Sequence, residues 1–148
     1  MKSRYVSNDL WKQIQDLEGQ MLLTPARRKT FRITGTKPDS IILCFSQSQL
    51  EVCRNSFEQT LKYLIVHGHQ GQEKQIAIDA HTDPEKAGPL CRAARTRPDG
   101  SHGSRVVTYT LPTLAHLGLV RFGMIGRRSS VWLCEAEQGW SQEGHTEL

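Results

Sequence analysis

Apolar positions along the chain change their period several times, and each change predicts a new element. Behind Ser7, Leu10, Ile14 and Leu17 recur at helical spacing until Gly19, which predicts a first helix capped by the serine. Residues 20–28 contain Pro25 and no clear period, so they read as an extended connection. Thr30 and Arg32 then alternate with Phe31 and Ile33, a turn cluster occupies 35–39, and the run SIILCF follows, which together predict a β-hairpin. Ser46 or Ser48 can cap the next element. There Leu50, Cys53, Phe57, Leu61, Leu64 and Ile65 form the strongest amphipathic stripe of the chain, closing at 67–71.

The second half is less regular. Residues 75–80 are short and apolar, a strand or a helical turn. Asp83 followed by Pro84 opens a helix that runs to about Arg95, with Gly88 and Pro89 making its first turn irregular or delaying its start. The connector 96–104 is rich in glycine and serine, and Ser104 is placed to cap a helix over 105–117. Val107, Leu111, Leu114 and Leu117 share one face of that helix; Arg105, Tyr109, Pro112 and His116 fall opposite, with Thr108 and Thr113 at the margins. Pro112 counts against it, since an interior proline costs about 3 kcal/mol. The competing arrangement is a strand over 105–109 and a short helix capped by Thr110. Gly118 is a natural helix stop, and the runs LVRFGM and SSVWLC around 125–128 predict a second hairpin.

These elements define an α+β protein in three parts. Residues 1–71 form an N-terminal unit of helix, hairpin and long amphipathic helix, 72–134 a second unit, and 135–148 a tail. The tail holds four acids, no lysine or arginine, and Trp140 as its only aromatic residue, the composition of a disordered segment. Apolar runs are far shorter than the roughly 20 residues of a membrane span, and the N-terminus lacks a secretory apolar core, so a cytoplasmic protein without a membrane partner is expected. Cys44, Cys53, Cys91 and Cys134 are widely spaced inside apolar stretches. They read as reduced structural thiols, with Cys44 and Cys53 facing the N-terminal core.

Charge changes the picture of the second unit. Between residues 91 and 134 seven arginines face one acid, Asp99, so this segment carries +6 while the whole chain carries +4. Arginine clustered on a helix and a hairpin tip is the electrostatic mark of a nucleic-acid surface. The stretch TYTLPTLAHLGLVRFGMIGRRSSVWL resembles the winged helix-turn-helix proteins, in which a helix leads directly into a wing hairpin. The resemblance covers roughly 76–134 and departs from the family at Pro112 and in the long connector. It implies a groove-entering helix presenting Arg105, Thr108, Tyr109 and Thr113, and a wing contacting phosphates through Arg127 and Arg128. Arg92, Arg95 and Arg97 extend that surface, and Arg27, Arg28 and Lys29 add a second basic group.

Catalytic and metal signatures are weak by comparison. The four cysteines include no Cys-x-x-Cys pair, and His67 with His69, or Asp79 with His81, are loose pairs on expected loops. No phosphate-cradling glycine loop or nucleophile turn is present. The expectation is a DNA-binding protein without catalysis, cofactor or metal, a small regulator or accessory factor of bacterial type. Its partner would be double-stranded DNA, as a monomer, a homodimer or beside another protein. A protein-interaction module using the same helix and wing, or a small DNA-processing enzyme, are the competing classes.

Overall fold

The computed structural model describes residues 5–25 and 29–134. Arg27, Arg28 and the acidic tail lie outside the described residues. Ser7 caps α1 (Asn8–Gln15) as expected, its hydroxyl accepting from the Leu10 N–H at 3.1 Å, and Trp11 and Ile14 are buried. The Trp11 indole donates to Pro38 O at 2.8 Å, which fixes the helix to the first hairpin.

Four antiparallel strands follow in sequence order: β1 (Met21–Leu23), β2 (Thr30–Lys37), β3 (Ser40–Phe45) and β4 (Ser48–Cys53). The β2 and β3 hairpin is the one expected. The connection expected over 20–28 contains the edge strand β1, which pairs Met21 with Arg32.

A larger correction concerns residues 48–53, expected in the amphipathic helix. They pair with β3 from Ser40 opposite Cys53 to Phe45 opposite Ser48, because Leu50 and Val52 satisfy period two as well as a helical stripe. Ser46 sits in the tight turn at φ 50°, so neither it nor Ser48 caps a helix. Helix α2 (Arg54–Val66) begins only after Cys53, which is exposed, and Cys44 is half-buried; neither thiol faces the core as expected. Cys91 and Cys134 are buried, and all four thiols are free.

A second antiparallel sheet, ordered β5 (Ile76–Ala77), β7 (Arg128–Leu133), β6 (Val120–Ile125), contacts α4 (Val107–His116) through β6, and α3 (Pro89–Ala94) lies against α2 and α4. The delayed start of α3 is the observed one: Gly88 is the N-cap, Pro89 takes the first position, and the Asp83 carboxylate turns the chain beforehand by accepting from Glu85 N–H. Residues 105–109 do not form the alternative strand. α4 nevertheless starts at Val107, two residues late, with Val106 as N-cap and no cap from Ser104. Pro112 lies inside it. Its missing N–H takes away the donor that Thr108 O would have received, while Thr113 Oγ1 donates to Tyr109 O at 2.8 Å.

One continuous cluster of buried side chains joins both sheets and all four helices. α2 occupies its middle, contacting β4 toward the first sheet and α3, α4 and β7 toward the second. The core therefore runs without interruption past Gly71.

Candidate nucleic-acid interface

The tip of the second hairpin is a two-residue turn, Gly126 and Arg127, between the paired ends Ile125 and Arg128. Arg127 is exposed there. Arg128 is also exposed but engaged: Nη2 and Nε donate to the two carboxylate oxygens of Asp79 at 2.6 and 3.2 Å. Those hydrogen bonds, and then the carboxylate charge, hold the Arg128 proton more tightly than usual. Asp79 is itself constrained, with φ 45° and its carbonyl accepting the Gly88 N–H at 3.0 Å. A Cβ at Gly88 would come within 2.7 Å of the Asp79 Cβ, so this contact requires glycine.

Arg92 and Arg97 are exposed near the end of α3. Arg92 donates to Ala87 O at 2.8 Å and, with Asp83, Glu85 and His102, lines an open cleft of about 620 Å³. Arg97 lies over a turn closed by its own N–H to Ser101 O. In that turn the Ser101 hydroxyl, and then its N–H, keep Asp99 below the ordinary carboxylate range. Arg105 and Thr108 are half-buried at the start of α4, and Arg105 Nε and Thr108 Oγ1 make no hydrogen bond among the described residues. Lys29 is exposed beside β2, far along the chain from this group.

Three expected contacts are corrected. Arg95 is 3% exposed and turned inward, its guanidinium donating to Thr82 O at 3.0 Å and His81 O at 2.5 Å. It tethers a loop and cannot reach a phosphate. Thr113 is fully buried, with its hydroxyl on Tyr109 O. Tyr109 is half-buried between Phe31 and Phe45. The face of α4 expected to enter a groove is thus covered by the first sheet, and Pro112 is buried with it. Helical periodicity carries no record of the first sheet, which lies against the face it marks as polar.

Two residues outside the expected set share one face of the second sheet. Arg121 and Trp132 stand opposite each other in the β6 and β7 register, on the face turned away from the helices. The signal was the period-two row Arg121, Gly123, Ile125 facing Arg128, Ser130, Trp132. The histidine pairs have other commitments. His67 and His69 stack around Tyr63, with His69 Nδ1 2.9 Å from Lys74 O, and His81 Nδ1 accepts the Asp83 N–H. Among the described residues no three His, Cys, Asp or Glu side chains converge as a metal site. No protein-family model, curated protein or solved structure matches this chain.

Proposed function

We propose that the chain is a non-catalytic, nucleic-acid-binding protein whose second half is a winged helix that contacts phosphates through its wing and the end of α3, not through α4. The observation that carries the reading is the scarcity of ion pairs: of Arg92, Arg97, Arg105, Arg121, Arg127 and Arg128, only Arg128 has one among the described residues, although Asp83 and Glu85 share the cleft of Arg92 and Asp99 lies near Arg97. Its support in architecture is the succession α3, α4, β6, β7, with Gly118 between α4 and the hairpin. Duplex DNA is the partner, and its backbone, not its base edges, is what exposed arginines can reach once the α4 face is covered.

Anisotropy of a short random duplex at about 50 and 200 mM salt tests the reading. Binding should weaken steeply with salt, and Arg127→Ala should flatten that slope by about one unit on every sequence alike. Salt-independent binding, or none at the lower salt, removes the reading.

A second reading is favoured by a different surface. A groove of about 360 Å³ lined by Leu22, Leu23, Pro112 and Phe122 lies between β1, α4 and β6, and Met21, Leu23 and Met124 are about half exposed. An apolar groove of that kind fits a protein-interaction module, which would bind no duplex at either salt.

A further inference from the structure

The three-stranded sheet has two unlike faces. Val120, Val131 and Leu133 are buried on the inner one, while Arg121 and Ile125 from β6 and Arg128 and Trp132 from β7 are carried on the outer one. A Cβ at Gly123 would come within 2.8 Å of the Trp132 ring, so the indole lies down over the glycine instead of standing away from the sheet. Beneath this cover Ser130 is fully buried, its hydroxyl on Gln75 Oε1 at 2.5 Å. Trp132 itself is only half-buried.

A flat, partly exposed indole opposite Arg121, with Arg127 at the tip of the same hairpin, suits a polyanion that also offers a flat partner. Among the described residues, the acid bonded to an arginine of this face is Asp79, which Arg128 holds. The bases of a duplex are stacked on one another and closed to such a ring, whereas those of a single strand are free to stack on it. We infer that the outer face of β6 and β7 binds single-stranded nucleic acid, with Trp132 stacking on a base and Arg121 and Arg127 holding the adjoining phosphates. This rests on the nucleic-acid reading above and adds to it a second form of ligand and the surface that takes it.

Oligothymidylate, which has little structure of its own, is titrated into the full chain beside the short random duplex. The expected result is binding of oligothymidylate with quenched tryptophan fluorescence. Trp132→Ala should weaken that binding about tenfold or more while duplex affinity stays as it was, and Arg121→Ala should weaken it as well. Trp132→Phe keeps a flat ring and should retain binding while losing the share of the quench that Trp132 supplies beside Trp11 and Trp140, which maintains the test if the alanine variant does not fold. Duplex bound without oligothymidylate, an unaffected Trp132→Ala, or an undiminished quench in Trp132→Phe overturns the inference and leaves the broader reading standing. If neither probe binds, both fall.

Discussion

Tyr109 lies flat on Phe45, ring centroids 5.4 Å apart and planes 6° from parallel, while Phe31 meets the same tyrosine edge-on at 5.2 Å. The contact joins the first sheet to α4 across the face that sequence periodicity assigns to solvent. Tyr109→Ala should therefore lower stability by about 2 to 3 kcal/mol, a loss of the same order as Leu114→Ala, and Tyr109→Phe should restore most of it. Urea denaturation measures both. A Tyr109→Ala variant as stable as wild type would mean that the sheet does not cover α4.

Arg95 and Arg127 carry the same charge and should behave as opposites. Removing the Arg95 guanidinium takes the donor from the carbonyls of His81 and Thr82, which are only partly buried, so Arg95→Met should cost about 1 kcal/mol. Duplex affinity per folded molecule should be unchanged. Arg127→Ala should give the reverse, a normal melting temperature and weaker binding. Equal effects in both assays would remove the distinction.

Thr60 and Thr110 are both fully buried, their hydroxyl oxygens 3.1 Å apart, and Thr60 already donates to Ser56 O at 2.7 Å. Thr110 must then be the donor to Thr60. Thr60→Val strands that donor and should cost about 1 to 3 kcal/mol, whereas the double valine variant, with no hydroxyl left to satisfy, should cost less than the two single changes added. A double-mutant cycle in urea reads the difference, and strict additivity would refute the pairing.

Gly88→Ala forces a methyl against the Asp79 Cβ, so either the loop or the Asp79 backbone must move. About 1 to 3 kcal/mol should be lost, and the Arg128 ion pair loosened with it. Thermal melting checks the first consequence and the Arg128 side-chain resonances the second; an unperturbed Arg128 would show that the close contact does not set the pair.

Glu51 supplies a pH test. The Ser40 hydroxyl, 2.5 Å from its carboxylate, and then the Lys37 charge hold its carboxyl below the ordinary glutamate value. Because the folded value is depressed, this contact stabilises above the unfolded value and is lost as pH falls through the folded one. Ser40→Ala should move the Glu51 midpoint up toward the ordinary range in a carboxyl NMR titration. An unmoved midpoint would assign the shift to Lys37.

How far the fold could be read from the chain depended on whether a residue's neighbours were local. Ser7 as a cap, the pairing of β2 with β3, the turn at Gly126 and the apolar face of Val107, Leu111 and Leu114 all rest on contacts a few residues apart, and all were legible. Leu50 and Val52 were not, because apolar residues two apart fit a strand as well as the edge of a helical stripe. Arg95 looked exposed on helical spacing; its inward turn depends on carbonyls at 81 and 82, supplied by a loop with no periodicity. Of the candidate site, the place of Arg127 and Arg128 at a hairpin turn could be anticipated. The indole of Trp132 over Gly123 could not, because it exists only once β6 and β7 are in register.

Helix α2 gives its buried side chains Phe57, Leu61 and Leu64 to a core that has no seam between the sheets. A fragment of residues 72–134 would leave Leu90, Leu111 and Leu114 facing water where α2 had been, and a fragment ending at 71 would carry a helix with nothing against half its surface. Neither piece can melt ahead of the other. Heat should take the chain apart in one cooperative transition, so a change in the first sheet and a change in the second hairpin draw down the same free energy of unfolding.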